Sequence, residues 1–362
     1  MDIEFHYYMT YSIATRAGFS PLEARILAYS SQYVDNNSTV FKIDEGKNSE
    51  YFNHITQTFN ILKSKNELLK IYPVFHFIPG DPFAVSARRK DGQRHFLNTT
   101  PNSISANRII DDALASKNLY RIGIASHGYV DTWAHQNFVG YYDEFNAVKG
   151  MLRSALPHVG HADVKRYPDW PALIWHDYRL ISPHDKVNNK LRFLDAAKHL
   201  FYKYCFYLEG VDPRDRREKD ALELVRDLDR AIGDYDPKNR HRRDRIQRYL
   251  ALSEQKIYGK EQIPLYNKYL WLERAVTRSE NEFGDRNKGH RKKGLFFSLT
   301  TFKAPYFWRE NYQQSHWYQF QEAAKNQQKA AWNILYETKF RYLDIPQYYS
   351  SHSSKHNDYA KI

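Results

Sequence analysis

The sequence has a single cysteine, Cys205, among its 362 residues. A lone thiol has no partner within the chain, so a fold held together by disulfides is excluded. Long hydrophobic runs are also missing, because no stretch approaches the roughly 20 apolar residues that a membrane-spanning helix needs. Strand signals are scarce, and we find no internal repeat. We therefore expect a mostly α protein without disulfides or transmembrane segments.

The N-terminus lacks the features of a secretory signal. Met1 is followed by the acidic Asp2 and Glu4, where a signal peptide carries basic residues, and no apolar segment of signal length follows them. We expect synthesis without a Sec signal and a cytoplasmic location, with export by another route left open. Because Asp2 is bulky, Met1 is expected to be retained, and its amine would then be available at the start of the chain.

Aromatic residues and positive charge are abundant. Aromatic side chains make up 16% of the chain and are spread along it, which argues against disorder. The formal net charge of +12 favours an anionic partner such as a phosphate-containing substrate, although net charge describes association and not fold. Two basic stretches, 240–248 and 286–293, contribute much of the excess. Such stretches are more typical of solvated helix ends and loops than of a binding groove.

Apolar residues recur at helical spacing along most of the chain. Ser20-Pro21-Leu22-Glu23 combines an N-cap, a proline at the first helical position and a glutamate at the third, which predicts a helix from Pro21 to about Val34. We divide the chain into a helical core (1–180), a helical extension packed on it (181–345) and a flexible tail (346–362). A highly charged insertion, at about 212–254, is expected to form one or two exposed helices.

The most informative segment is Ser126-His127-Gly-Tyr-Val-Asp131-Thr-Trp-Ala-His135. His127, Asp131 and His135 are four residues apart, so they share one stripe of a helix. The two histidines would lie about 12 Å apart along the helix axis, too far to share one ion at bond lengths of about 2 Å. A metal-binding stripe would therefore serve more than one ion, with Asp131 between them.

Two explanations of this stripe are open. The side chains of an ordinary surface helix would face solvent or cap neighbouring elements. The surrounding residues are apolar, however, so the helix is expected to be buried on most sides. Buried polar groups need partners, and a metal is the simplest partner for a row of His and Asp. Further candidate ligands stand elsewhere in the chain: His6, Asp35, His76, His158, His161, Asp163 and Asp169.

In their order and local sequence, these residues resemble the superfamily of zinc-dependent phospholipases C and single-strand-specific zinc nucleases. Phe75-His76-Phe77-Ile78 resembles the Trp-His-Phe-Ile of the nucleases, and His127-x-x-x-Asp131 fits the superfamily's His-x-x-x-Asp pair. The chain looks closest to an uncharacterised bacterial branch that opens with Met-Asp-Ile-Glu-Phe-His-Tyr-Tyr. The resemblance covers roughly residues 1–175 and implies a helical domain that holds up to three zinc ions.

The resemblance also implies how the ligands are grouped. One ion would be held by Asp35, His76, His127 and Asp131, a second by Met1, His6 and Asp131, and a third by His135 with His161 and an acid. The third group departs from the family pattern, because His161 is followed by Lys165 where an acid is expected. Asp163 or Asp169 would have to replace that acid, His158 is an alternative to His161, and a two-metal site stays open.

His and Asp ligands without a thiolate suit zinc, although manganese or iron would also be accepted. The resemblance implies a phosphodiester hydrolase in which Asp35 orients or deprotonates the attacking water. We expect a phospholipase C-like enzyme; a zinc nuclease or nucleotidase and a non-catalytic, metal-stabilised binding protein are the alternatives. Six aromatic residues could form a wall for a base or a lipid glycerol, and an ordinary core role is at least as open for each of them: Tyr7, Tyr8, Tyr33, Trp133, Tyr141 and Tyr142.

Overall fold

The computed structural model describes residues 1–46, 49–60, 63–148, 159–278 and 306–347. The described chain is mostly α-helical, as predicted. It begins with a π-helix, Glu4–Met9, that continues directly into the first α-helix. The α-helices are α1 (Thr10–Ala17), α2 (Pro21–Asn36), α3 (Lys65–Leu69), α4 (Tyr72–Phe75), α5 (Ile104–Ala115), α6 (Leu119–Ala134), α7 (Asn189–Glu209), α8 (Glu218–Ile232), α9 (Arg242–Ser253), α10 (Leu270–Ala275) and α11 (His316–Thr338).

The β-structure of the described residues consists of short strands of three to five residues. They are β1 (Lys42–Gly46), β2 (Ser49–Phe52), β3 (Ile174–His176), β4 (Lys186–Asn188), β5 (Val276–Arg278) and β6 (Tyr306–Trp308). One sheet has the strand order β2-β1-β6-β5, in which β1 and β6 are parallel and the other pairs antiparallel. The other sheet is the antiparallel pair β3-β4.

The start of α2 is the one that the sequence predicts. The Ser20 hydroxyl accepts a hydrogen bond from the Glu23 backbone N–H, and the Glu23 carboxylate accepts one from the Ser20 N–H, so both halves of a capping box are present. Pro21 occupies the first turn, where its missing N–H costs nothing. The helix ends at Asn36, two residues beyond the predicted Val34, and this places Asp35 in its last turn.

Two glycines allow neighbouring elements to approach α6 closely. A Cβ atom on Gly123 would lie 2.6 Å from the Leu27 carbonyl oxygen of α2, and one on Gly128 would lie 2.8 Å from the Phe75 carbonyl oxygen of α4. Any larger residue would push these elements away from α6. The glycines therefore allow the middle of α2 and the end of α4 to pack closely on the helix that carries the predicted stripe. Asp35 lies in the last turn of α2, and His76 follows α4 directly.

The N-terminal part of the chain and the later helices share one large buried cluster. Phe5 contacts Phe193 of α7 edge to face at 5.7 Å, and the indole N–H of Trp317 in α11 donates to the hydroxyl of Tyr33 in α2. A second, smaller buried cluster surrounds Phe77 and Phe138. The central helices α2 and α6 are therefore enclosed by residues from both parts of the chain.

The charged segment 212–254 forms α8 and α9. Helix α8 buries Ala221, Leu224 and Leu228, and all of its charged residues are exposed or half-buried, as expected of an exposed helix. Helix α9 departs from this expectation, because Arg245 is 1% exposed. The basic stretch 286–293 and nearly all of the predicted tail, 348–362, lie outside the described residues. Within the described residues, none of the helices has the length and apolar composition to cross a membrane.

Gly123→Ala tests the close approach of α2 to α6. In an open helix this substitution stabilises by about 1 kcal/mol, because alanine has the higher helix propensity. Here we expect the free energy of unfolding to fall by about 1–3 kcal/mol, since the added methyl group meets the backbone of α2. Urea unfolding followed by circular dichroism measures the difference. An unchanged or increased stability would contradict the close packing.

Candidate metal centre

Helix α6 places its His and Asp side chains on one buried stripe, as the sequence predicts. His127 and Asp131 lie in the helix, with exposed fractions of 0% and 1%. His135 follows the last helical residue as the C-cap, and its backbone N–H still donates to the Asp131 carbonyl oxygen. The predicted stripe is therefore present over His127 and Asp131, and it continues one turn further through the cap residue.

Nine of the predicted ligands lie close together in the structure. Their donor atoms form three groups, and within each group these atoms lie within 4.8 Å of one another. The groups are His6, His127 and Asp131; Asp35, His76 and His127; and His135, His161 and Asp169. The Met1 amine joins them, because it contacts the Asp131 carboxylate and lies 3.5 Å from Asp169 Oδ1. Whether these residues bind metal stays a prediction.

Asp131 lies at the centre of the three groups. Its Oδ1 contacts the Met1 amine and is 3.2 Å from His6 Nε2. Its Oδ2 is 3.2 Å from His127 Nε2 and 3.5 Å from both His76 Nδ1 and His135 Nδ1. That Oδ2 is buried and accepts no hydrogen bond from the described residues. One carboxylate is thus in a position to serve as a shared ligand for neighbouring cations.

The histidines of the second group are oriented by backbone carbonyls. His127 Nδ1 lies 2.8 Å from the Ser31 carbonyl oxygen, and His76 Nε2 lies 2.9 Å from that of Thr56. Only an N–H can donate to a carbonyl, so in the neutral rings the opposite nitrogens carry no proton. Those nitrogens, His127 Nε2 and His76 Nδ1, face each other at 3.0 Å. Two facing lone pairs repel, and a cation or proton between them removes the repulsion.

The third group has the same construction. His135 Nδ1 donates to the His76 carbonyl oxygen at 2.9 Å, and His161 Nδ1 donates to that of Lys165 at 2.6 Å. Their Nε2 atoms lie 3.5 Å and 3.7 Å from Asp169 Oδ1, which is buried and has no hydrogen-bond partner among the described residues. Histidine ligands of metals characteristically donate their second N–H in this way, which fixes the ring and its tautomer.

The structure distinguishes between the two acids proposed for the third group. Asp169 belongs to the group with His135 and His161. The Asp163 carboxylate is turned elsewhere and accepts from the Val148 backbone N–H at 3.3 Å. A 3₁₀ turn, Tyr167–Asp169, brings Asp169 back to the group although it stands eight residues after His161 in the chain. His158, the alternative to His161, lies outside the described residues.

The clustered charges shift several pKa values. Burial opposes a charge on the Met1 amine, but the carboxylates of Asp131, Asp169 and Asp35 outweigh it and raise the pKa of the amine to about 10. Burial and the neighbouring His127 lower the pKa of His6 to about 4. Burial alone would raise the pKa of Asp131, yet His135 and the Met1 amine hold it well below the usual range. The cluster is therefore rich in ionised carboxylates, and a metal that used the amine would have to displace its proton.

A cleft of about 670 Å³ opens onto this cluster. Asp35, His76, His135, His161 and Asp169 are among the residues that line it. The Asp35 side chain is 28% exposed, whereas that of Asp131 is 1% exposed, so Asp35 is the more accessible of these two acids. The cleft also has a cationic rim, formed by Lys165, Arg166, Arg242 and Lys268.

Sequence reasoning missed the residues around the cluster. The aromatic residues that line the cleft are Phe59, Tyr72, Phe77 and Tyr266, and none of them is among the six aromatic residues considered from the sequence. Of those six, only Tyr142 is exposed, and it does not line the cleft. The rim residue Arg242 lies in the basic stretch 240–248, which was assigned to solvated helix ends. Its position next to Asp2, with Arg242 Nε 3.7 Å from Asp2 Oδ2, follows only from the packing of α9.

The chain belongs to a protein family of unknown function, DUF6765, whose sequence profile matches residues 1–335. The matched span includes every predicted ligand, from Met1 to Asp169. No curated protein matches the chain significantly, and neither does any solved structure.

Zinc binding should release protons. The Met1 amine, with a pKa of about 10, is protonated near neutral pH, and ligation requires the free amine. We therefore expect the apparent zinc affinity to rise about tenfold per pH unit for each proton released, between about pH 6 and pH 8. Calorimetric titration of metal-free protein in buffers of different ionisation enthalpy measures the proton count.

Two variants give this titration its controls. His127→Ala removes a nitrogen that two groups share and should lose zinc binding there. His199→Ala removes a histidine that pairs with Asp195 outside the cluster and should titrate like the wild-type protein. Zinc binding without proton release, or equal binding by both variants, would contradict the assignment of ligands.

Proposed function

We propose that this protein is a metal-dependent phosphodiester hydrolase of the phospholipase C-like type, with a multinuclear zinc site. The observation that carries the proposal is the pair of facing nitrogens, His127 Nε2 and His76 Nδ1, 3.0 Å apart beside the unpartnered Asp131 Oδ2. Divalent cations satisfy such a set of donors better than any arrangement of protons, because only one proton fits between two nitrogens. We extend the proposal to the fold, as a helical domain of the zinc phospholipase C and nuclease type.

An open cleft supports catalysis over a purely structural metal site. A structural site fills every metal position with protein ligands, whereas a catalytic site leaves a position open to water and substrate. Here Asp35, His76, His135, His161 and Asp169 border a cleft large enough for a small ligand. The non-catalytic, metal-stabilised binding protein remains the alternative that the activity measurement below tests.

The cationic rim supports an anionic substrate. Lys165, Arg166 and Lys268 line the cleft and form no salt bridge with a described residue; the Lys268 ammonium lies 4.8 Å from the centre of the Tyr269 ring. Their positive charges favour phosphate oxygens at the mouth of the cleft. Bound divalent cations would activate a water molecule and neutralise the charge that develops on the phosphoryl group. Asp35 would orient that water and accept its proton; its carboxylate lies near His76 and His127 and borders the cleft, which supports this role.

A zinc nuclease is the second candidate, and two observations favour it. The rim carries several cations, which suits a polyanionic strand, and Phe59 at the cleft is 78% exposed, which leaves a ring face free for a base to stack on. A lipid headgroup would use the same ligand cluster. A nucleic acid and a phospholipid would therefore differ in the part of the substrate that contacts the cationic rim, and not in the phosphodiester that contacts the ligand cluster.

Asp35→Asn tests the proposed chemistry. The amide has nearly the same shape as the carboxylate but cannot accept a proton, so we expect the turnover number to fall by about 10²- to 10⁴-fold. Hydrolysis of bis-p-nitrophenyl phosphate by zinc-loaded protein measures phosphodiesterase activity. Hydrolysis of phosphatidylcholine or of single-stranded DNA distinguishes a phospholipase C from a nuclease. Asp91→Asn, an exposed aspartate that pairs with Arg89 away from the cleft, is the matched control.

Three outcomes decide between the functions. Hydrolysis of at least one substrate that Asp35→Asn abolishes and Asp91→Asn preserves supports the proposal. Zinc binding without hydrolysis of any of the three phosphodiesters supports the non-catalytic alternative. Full activity of Asp35→Asn contradicts the role assigned to Asp35.

A further inference from the structure

Arg245 of α9 forms a buried ion pair with the N-terminal π-helix. Its guanidinium donates from Nε and Nη2 to the two carboxylate oxygens of Glu4, at 2.8 Å and 3.0 Å, and from Nη1 to Asp236 at 2.9 Å. The side chains of Arg245 and Glu4 are 1% and 0% exposed. Such bidentate pairing fixes the direction of both side chains as well as their separation.

Asp236 fixes the arginine in turn. Its carboxylate accepts hydrogen bonds from the backbone N–H groups of Arg240 and His241, at 3.0 Å and 2.8 Å, immediately before α9 begins. The start of α9 and the guanidinium of Arg245 are therefore bound to the same carboxylate. Asp236 therefore fixes the guanidinium group that pairs with Glu4.

Glu4 lies between two of the predicted ligands. Met1 is three residues earlier and His6 is two residues later. The Asp2 carbonyl oxygen accepts from the N–H groups of both Phe5 and His6, at 3.0 Å each, so the first six residues form one continuous hydrogen-bonded turn. His6 Nε2 also lies 3.1 Å from the Met1 carbonyl oxygen. A constraint on Glu4 is therefore a constraint on the Met1 amine and the His6 ring.

We propose that Arg245 is a positioning residue which, through Glu4, holds the Met1 amine and His6 against Asp131. The proposal rests on the proposed metal-dependent function, and it assigns the charged segment 212–254 a part in the site. Stability alone does not explain the pair, because a buried ion pair seldom stabilises more than apolar side chains of the same size. What such a pair supplies is a fixed register between two elements, here between α9 and the start of the chain.

The experiment uses protein with the 362-residue sequence and Met1 as its first residue. The double substitution Glu4→Gln with Arg245→Met removes both charges of the pair, so neither is left buried without the other. Asp236 loses its arginine partner but keeps the backbone N–H groups of Arg240 and His241 as donors. The first measurement, on metal-free protein, is the rate at which an amine-reactive ester modifies the Met1 amine, read by peptide mass spectrometry with lysine amines as internal standards. Because the amine is buried in the native protein, we expect release of the first turn to accelerate its modification at least about tenfold.

The second measurement is zinc affinity. If Arg245 positions two ligands of one ion, the double variant should bind one equivalent of zinc about 10- to 100-fold more weakly, which is the usual effect of removing a residue that orients ligands. The remaining zinc should bind as in the wild-type protein. Circular dichroism confirms that the variant is folded, and Arg245→Lys, which keeps the charge but not the bidentate geometry, should give intermediate values in both measurements.

Arg217→Met is the matched control. Arg217 belongs to the same charged segment and pairs with two carboxylates, Glu209 at 2.6 Å and Asp220 at 2.7 Å, but it does not contact the first turn or the cleft. It should leave both the modification rate and the zinc affinity unchanged. If the double variant folds and shows wild-type values in both measurements, Arg245 does not position the ligands; if it does not fold, wild-type values for Arg245→Lys overturn the proposal in the same way.

The two measurements separate this inference from the proposed function. Wild-type protein that binds no zinc contradicts the proposed function, whereas the modification rate of the Met1 amine needs no metal and still tests whether Arg245 holds the first turn. Zinc binding by the wild-type protein together with unchanged values for the variants contradicts only the role of Arg245.

Discussion

A single buried carboxylate organises the centre of this protein. Asp131 is 1% exposed and interacts with the amine of the first residue and with histidines from the N-terminal π-helix, the end of α4, and α6 with its cap. An ionised carboxylate inside a protein is costly unless it is compensated. Protons or metal cations on the surrounding nitrogen atoms supply that compensation. The elements that carry these nitrogen atoms must therefore converge on Asp131.

The fold meets this constraint by close packing around α6. Gly123 and Gly128 leave room for the backbones of α2 and α4, which bring Asp35 and His76 to the stripe on α6. The third group depends instead on irregular structure, since His161 and Asp169 lie in a loop with short 3₁₀ turns. Most of the ligands around Asp131 thus lie on or next to helices, whereas the third group, which borders the cleft, is supplied partly by a loop, as is common for sites that admit a ligand.

Local features of the sequence predicted the local features of the structure. The capping box of α2 and the spacing of His127 and Asp131 depend on neighbouring residues only, and both were found where expected. His6, Asp35 and His76 were assigned through a family resemblance, since nothing in their spacing shows that they converge. The choice of Asp169 over Asp163 depends on the path of a loop, and the burial of Arg245 depends on how α9 packs. Neither has a signal in the sequence, because both follow from contacts between residues far apart in the chain.

The central claim is that the facing donor atoms around Asp131 hold metal ions. Anomalous diffraction at the zinc absorption edge, from crystals of zinc-loaded protein, tests it most directly. We expect anomalous peaks about 2.0–2.2 Å from His127 Nε2, His76 Nδ1 and an oxygen of Asp131, which are the usual zinc bond lengths. If crystals grown with excess zinc give an anomalous map without a peak within bonding distance of Asp131, the proposed metal centre is contradicted.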